Sequence, residues 1–508
     1  MVSHIHTVSF QGIAATPVDV QVHVASGLPA FTIVGLPDKA VAESRERVRA
    51  ALSASGLSLP PKRITVNLAP ADLPKEGSHF DLPIALGLMA AIGAIPADSL
   101  DAYTVLGELA LDGRLASVVG VLPAAIAANA EERGLICPLD CGPEAAWADP
   151  DMDILAPDSL ISLANHFKGS QVLSRPRASI RDPRQSLLDL RDIKGQEMAK
   201  RALEVTAAGG HNMLMVGPPG SGKSMLAARL PTILPPLSPA ELLDVSMIQS
   251  IAGLLPNGQL SVARPFRSPH HSASMAAMVG GGMKAKPGEV ALAHNGILFL
   301  DELPEFSPQV LDSLRQPIES GEAVIARANH RVTYPARFQL IAAMNPCRCG
   351  HAGEPGYVCK RGPRCAADYQ ARISGPLLDR FDLRVEVPAV SASDLMLPPS
   401  KEGSEEVGAR VRQARQIQKQ RFAALGQQTV ITNAQCPASM IEQICQPSGE
   451  ARKLLAHAAQ SMALSARGYH RVLKLARTLA DLAGREQPAS EEIAEALGYR
   501  MSTPSLVA

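Results

Sequence analysis

A chain of 508 residues, 46% apolar and 19% charged, is too long for one hydrophobic core and too apolar for general disorder, so about three globular units are expected. Lys+Arg and Asp+Glu both total 49, and this neutrality decides nothing about nucleic acid, which responds to where basic groups gather. Aromatics at 3% argue against a single-strand binder built on stacked bases, and eight cysteines without a secretion signal predict a cytoplasmic chain with thiols or metal ligands, not disulfides.

The first 166 residues alternate short β-branched runs, such as 64–68, with alanine-rich stretches, which predicts an α/β domain. Within it the longest apolar run, 82–97, contains Pro83 and Pro96 and is too short for a membrane span. Residues 167–191 change character: Arg175, Pro176, Arg177, Arg181, Pro183 and Arg184 predict a basic, proline-punctuated linker. A compact αβ unit is expected over 192–390, and 391–508 reads as alanine-rich helices ending in a frayed tail.

The central unit carries the chemistry. An apolar run, 211–216, leads directly into Gly217-Pro218-Pro219-Gly220-Ser221-Gly222-Lys223-Ser224, and a helical stretch follows. Strand, glycine-rich loop and helix together make an ATP phosphate site: backbone N–H groups and the helix N-terminus face the phosphates. Lys223 is expected on the β- and γ-phosphates, and Ser224 on Mg²⁺. A glycine-rich turn that binds nothing is the bland alternative, and the full eight-residue pattern in its proper flanks weighs against it.

A buried-type strand, 296–300, ends in Asp301-Glu302. Beside a phosphate loop, the first acid is expected to hold Mg²⁺ and the second to polarise the attacking water; alone, the pair would serve equally as a helix cap. A further apolar strand, 338–344, ends at Asn345, whose amide is read by analogy with motor ATPases as orienting the water or γ-phosphate, although Asn-Pro is also a turn former. Arg380, in Gly375-Pro376-Leu377-Leu378-Asp379-Arg380-Phe381-Asp382, is expected to reach a neighbouring subunit's γ-phosphate; a local ion pair with Asp379 or Asp382 is the alternative. Arg467 opens a basic helical stretch in the C-terminal part and is a second candidate for the nucleotide, with Arg471 as its competitor.

Cys347, Cys349, Cys359 and Cys365 fall within nineteen residues of glycine- and proline-rich loop, which predicts a structural Zn²⁺ site, with reduced free thiols as the alternative. Two insertions carry basic residues suited to sequence-independent phosphate contacts. The first has Arg264, Arg267, His270, His271, Lys284 and Lys286; the second is an expected hairpin over 321–334 with Arg327, His330 and Arg331 near its tip. Subunit contacts or plain solvation are the alternatives. A third basic stretch places Arg412, Arg415 and Lys419 on one helix face, for DNA, an acidic neighbour or solvent.

Several long strings carry a resemblance over nearly the whole chain: Val34-Gly35-Leu36-Pro37-Asp38, Ser250-Ile251-Ala252-Gly253-Leu254, Arg264-Pro265-Phe266-Arg267-Ser268-Pro269-His270-His271, Met344-Asn345-Pro346-Cys347 and Arg372-Ile373-Ser374-Gly375-Pro376-Leu377-Leu378-Asp379-Arg380. The chain resembles the ComM/YifB family of Mg-chelatase-like AAA+ proteins. That resemblance implies an α/β P-loop AAA+ core, a hexameric ring, and ATP-driven branch migration on branched or single-stranded DNA during natural transformation. The magnesium-chelatase relation implies the same motor core with a detached helical lid. The first domain is similar to the Lon protease domain, of ribosomal S5 domain 2-like fold, but carries His79 at the nucleophile position, beside Ser78, and Ala124 at the lysine position. A serine without its lysine is not activated, so a protease is disfavoured. A protein-remodelling motor and an ATP-switched DNA-binding scaffold stand as the rival readings.

Overall fold

The structure is a computed structural model and describes residues 2–96, 98–181, 188–282, 285–326, 331–352, 359, 361–362, 364–396, 398, 400–427 and 429–501. The N-terminal α/β unit is built on a long antiparallel ribbon, β1 (Val2–Gln11) and β2 (Ala14–Ala25), paired continuously from Val2↔His23 to Gln11↔Ala14. Val18, Val20 and Val22 are buried at period two, so one face of β2 lies on the core. Adding β3 (Ala30–Val34), β4 (Arg63–Ala69), β5 (Tyr103–Val105), β6 (Gly134–Ile136) and β7 (Ile154–Leu155) gives a seven-stranded mixed sheet in the order β3–β4–β2–β1–β5–β6–β7.

Helix α1 (Lys39–Ala54) starts where Asp38 accepts a hydrogen bond from the Val41 amide at 2.7 Å, a side-chain N-cap. Helix α2 (Asp81–Ala91) is apolar all round and fully enclosed up to Ala90, packed against the ribbon and α1. The buried Asp81 at its start is neutralised by Arg47, at 2.6 and 2.9 Å, and by the Leu109 amide. The apolar run read from residue 82 is therefore a core helix as far as Ala91, and a second buried helix, α3 (Val121–Ala130), follows it along the chain. Among the described residues no helix is long and apolar enough to cross a membrane.

The second sheet is parallel throughout. It comprises β8 (Met213–Val216), β9 (Phe266–Arg267), β10 (Ile297–Leu300), β13 (Gln339–Met344) and β14 (Leu383–Glu386), in the order β9–β10–β13–β8–β14. Its central strands are uninterrupted apolar runs because both faces are covered. On the chain between β10 and β13, β11 (Glu322–Ala326) and β12 (Arg331–Pro335) form an antiparallel hairpin closing at Ala326↔Arg331. Helices α4 (Glu197–Gly209), α5 (Lys223–Ile233) and α6 (Pro239–Ala252) belong to this unit; a Ser238/Glu241 capping box starts α6.

The C-terminal helices include α7 (Ser404–Ala424), α8 (Gly449–Ser461), α9 (Ala466–Leu482) and α10 (Ser490–Met501). They are packed on the parallel-sheet unit, not detached: Val407, Val411 and Phe422 share one apolar cluster with Leu203, Leu226 and Leu230. The basic face expected on α7 is drawn inward in part. Arg410 binds Glu204 and Glu402, the Arg415 Nε donates to the Ala207 carbonyl at 2.9 Å, and Arg421 pairs with Asp481. Burial of the Arg415 guanidinium against α4 holds it below its usual range. Of this set Arg412 and Lys419 remain exposed.

The first unit touches the second around Glu144 and at the β1–β2 turn. The Ser250 hydroxyl at the end of α6 donates to Glu144, and the Ser250 carbonyl accepts from the Gly120 amide at 3.2 Å. The β1–β2 turn lies on the hairpin: a Cβ on Gly12 would stand 3.1 Å from both the Thr333 carbonyl and Val332.

Candidate nucleotide site

The carboxyl ends of β8, β10 and β13 face one opening, the edge at which parallel α/β sheets bind ligands. The glycine-rich loop, 217–222, leaves β8 and turns into α5 at Gly222, whose φ of 89° is a left-handed conformation that a side chain would strain. Lys223, only 8% exposed, sends its ammonium back onto the loop, 2.8 Å from the carbonyls of Gly217 and Pro218. Its Nζ is also 3.3 Å from the Asn345 Oδ1 at the end of β13. Burial holds the Lys223 amine below its usual range, and the Asp301 and Glu302 carboxylates oppose that shift.

The Ser224 hydroxyl donates to Asp301 Oδ2 at 2.6 Å, so a hydroxyl and a carboxylate oxygen converge where β10 ends. Hard oxygen donors of this kind suit Mg²⁺. Glu302 adopts a left-handed backbone, φ 51°, which turns its side chain away from the strand line. Its Oε2 lies 3.3 Å from Nδ1 of His271. The residues expected around the phosphates thus lie together: Lys223, Ser224, Asp301, Glu302 and Asn345.

Two neighbours were not legible as such in the sequence. His271 follows β9, the strand adjoining β10, and that adjacency is what brings its ring to Glu302. Gln196, with φ 60°, donates to the Ser221 and Pro388 carbonyls at 3.4 and 2.7 Å and so braces the loop from behind.

Arg380 is folded onto its own chain. Its guanidinium is 12% exposed, ion-paired with Glu319 instead of Asp379 or Asp382, and its Nε is buried without a partner. Arg471 takes those aspartates, at 3.9 and 3.6 Å, whereas Arg467 is exposed at the start of α9. Asp382 is pushed up by burial, but His211 and Arg471 outweigh this and hold it low.

The basic residues of the insertions divide sharply. Arg264 is clasped by Glu241 at 3.1 Å and by the Asn295 carbonyl at 2.7 Å. Arg267 makes a bidentate pair with Glu289 at 2.6 and 2.7 Å. Both guanidiniums thus help hold the insertion to the core. Lys286 and Arg331 are exposed, while Lys284, Arg327 and His330 lie outside the described residues.

The Sγ atoms of Cys347, Cys349, Cys359 and Cys365 all lie within 4.8 Å of one another, with 2.8 Å between the first two and 3.2 Å between Cys349 and Cys359. Four thiols so gathered are a ligand set for one soft or borderline ion.

Fold and site define a P-loop ATPase of the magnesium-chelatase AAA+ type. The family model described as magnesium chelatase, subunit ChlI, matches residues 189–395, the one described as subunit ChlI of Mg-chelatase matches 20–140, and the ChlI C-terminal model matches 401–500. The chain is 44% identical to the competence protein ComM of Haemophilus influenzae over 96% of this chain and 95% of that protein. It is 45% identical to YifB of Salmonella typhimurium over 98% of this chain and 96% of that protein. The magnesium-chelatase 38 kDa subunit of Rhodobacter capsulatus is 30% identical over 38% of this chain and 54% of that protein. The chain belongs to the ComM/YifB family of Mg-chelatase-like proteins.

Proposed function

We propose that this chain is an ATP-driven DNA motor, assembled as a ring of six, that moves branched or single-stranded DNA in recombination during natural transformation. The observation that carries the reading is end-to-end kinship with a competence protein, joined to an intact hydrolytic constellation at Lys223, Asp301, Glu302 and Asn345. In this reading the units are 1–166, a linker over 167–191, the motor core over 192–390 and the lid over 391–508.

Lys223 leaves its loop carbonyls to bind the β- and γ-phosphates of ATP, with the amides of 217–222 around them. Ser224 and Asp301 would hold Mg²⁺, which would supply neutralisation of phosphate charge when bound. Glu302 takes the proton of the attacking water, and Asn345 orients that water. Arg380 must exchange Glu319 for a neighbouring subunit's γ-phosphate, so ring assembly and hydrolysis are linked through one guanidinium. Arg467, at the exposed start of α9, is the lid's contribution. DNA contacts fall to Lys286 and Arg331, with Lys284, Arg327 and His330, and not to Arg264 or Arg267. Zn²⁺ in the four-thiol cluster has a structural role.

The N-terminal unit is read as a Lon-like fold without proteolysis. The Ser78 hydroxyl donates to Glu108, and the fully buried Lys75 amine donates to the Pro70 carbonyl. Ala124, in a buried helix, offers no base.

The test is ATP-dependent strand exchange on a synthetic branched duplex, comparing the native chain with Lys223→Ala. Strand movement that requires ATP and vanishes in the variant establishes the motor. Hydrolysis of ATP with no branched, forked or single-stranded DNA moved or stimulating it removes the DNA reading and favours a protein client.

A further inference from the structure

The four-thiol cluster does not sit apart from the ATP chemistry. Its first ligand, Cys347, lies two residues after Asn345, and Asn345 is the group at the end of β13 that reaches Lys223. A tight turn then carries the backbone of Gly350 onto the phosphate loop: its amide donates to the Cys347 carbonyl at 3.0 Å. A Cβ at Gly350, where φ is 91°, would stand 2.6 Å from Cδ and Cγ of Pro219. Only a glycine permits that approach, so the cysteine loop is a wall of the nucleotide pocket.

The far end of the loop is pinned as well. Cys365 opens a short helix, Cys365–Gln370, whose last side chain donates from Gln370 Nε2 to the Pro346 carbonyl at 2.8 Å. Two residues on, Arg372 donates to the Pro304 carbonyl at 3.3 Å and pairs with Glu305 at 3.2 Å, just beyond Asp301-Glu302. The segment between Asn345 and Arg372 therefore touches the phosphate loop at one end and the acidic-pair loop at the other.

Crosslinking is what this segment needs. Cys347 is fully buried and Cys365 nearly so, but the intervening described residues contribute little apolar burial. Tetrahedral Zn²⁺ with Zn–S of about 2.3 Å places thiolates about 3.8 Å apart, a spacing the four sulfurs reach by shifts of about 1 Å. Ordering by a metal would fix Gly350 against Pro219 and Asn345 against Lys223 in one step.

We infer that zinc occupancy of the Cys347/Cys349/Cys359/Cys365 cluster and nucleotide occupancy of the 217–224 loop are thermodynamically coupled, each strengthening the other. The inference rests on the ATPase reading above but not on DNA translocation. Coupling is reciprocal: if zinc tightens nucleotide binding by some factor, nucleotide tightens zinc binding by the same factor, typically about 5- to 150-fold.

The experiment uses the full-length chain. Metal content is measured by mass spectrometry, zinc loss to a chromogenic chelator is timed with and without ADP, and a fluorescent ATP analogue is titrated into zinc-replete, zinc-depleted and zinc-restored protein. The expected result is one zinc per chain, zinc loss slowed at least about fivefold by ADP, and a matching loss of nucleotide affinity on depletion that zinc restores. Gly350→Ala supplies a variant with all four thiols intact: it should keep its zinc yet bind nucleotide several-fold more weakly, because its Cβ displaces Pro219. Nucleotide affinity equal in the replete and depleted chain, or a folded chain that carries no zinc, overturns the coupling alone. A zinc-loaded chain that binds no nucleotide overturns the coupling together with the ATPase reading.

Discussion

Glu144 is the buried carboxylate that fastens the N-terminal unit to the parallel-sheet unit, and its replacement by alanine should loosen that junction measurably. It is 7% exposed, and one oxygen accepts both the Ser250 hydroxyl and, at 2.9 Å, the Leu122 amide. Burial raises its carboxyl above the usual range, and these two donors oppose the rise. Alanine leaves both donors buried and unpaired, at about 1–3 kcal/mol each, so a total loss of about 2–5 kcal/mol is expected. Glutamine keeps an acceptor oxygen in place and should cost under about 1 kcal/mol. Trp147, the lone tryptophan, lies three residues away and reports on this junction by its emission. With a urea slope of about 1–3 kcal/mol per M, the alanine midpoint should fall by at least about 0.7 M. The double variant Glu144→Ala/Ser250→Ala should lose less than the sum of the single losses, since each removes the same bond. An unchanged alanine midpoint, or strict additivity, would refute the claim that this hydrogen bond holds the two units together.

Glu302→Gln should retain ATP binding while hydrolysis falls about 10²–10⁴-fold; a translocating motor then stalls on DNA, whereas an assembly switch keeps its function. Arg380→Ala should lower kcat by about 10³–10⁵ with little change in nucleotide affinity, and mixing it with Lys223→Ala chains should restore some hydrolysis if the residue acts across a subunit boundary. Asp481 is fully buried between Arg421 and Arg477, so Asp481→Ala strands two guanidiniums and should cost about 3–5 kcal/mol in thermal or urea unfolding, with Asp481→Asn milder. His294 is lowered to about 4, by burial first and by Arg337 second, against the pull of Glu241. The unfolded chain takes this proton as pH falls through about 6.5 and the folded chain does not, so stability present above that pH drains away toward pH 4, by up to about 3 kcal/mol. In His294→Asn, whose carbonyl can still accept from the Arg337 amide, the fall in Tm between pH 7 and 5 should shrink.

The parallel α/β core is legible in the sequence because its signals are local. A strand of four apolar residues, a glycine-rich loop and a helix lie contiguous in the chain, and the acids and Asn345 each end a strand of the same kind. What escapes is the fate of charges whose partners are distant. Nothing near Arg415 announces that its Nε will meet the Ala207 carbonyl, and nothing near Arg380 announces Glu319. Arg264 and Arg267 look like free basic groups because Glu241 and Glu289 are more than twenty residues away along the chain. The lid misleads for a related reason: a helix of mean polar character packs through a few positions, Val407, Val411 and Phe422, and its arginines reach past them to carbonyls and carboxylates. The string Ser250-Ile251-Ala252-Gly253-Leu254 stands out in the sequence without a meaning attached. The structure gives it one, as the end of α6 that docks on Glu144 and Gly120.

The ribbon of β1 and β2 ends in a turn seated on β12, and this makes the N-terminal unit a pointer fixed to the hairpin. Ten paired residues span about 33 Å, so a 5° tilt at the seated end sweeps the far end through about 3 Å. A label on the first strand, near Val2, would therefore report a small tilt at the hairpin with the greatest displacement along the ribbon.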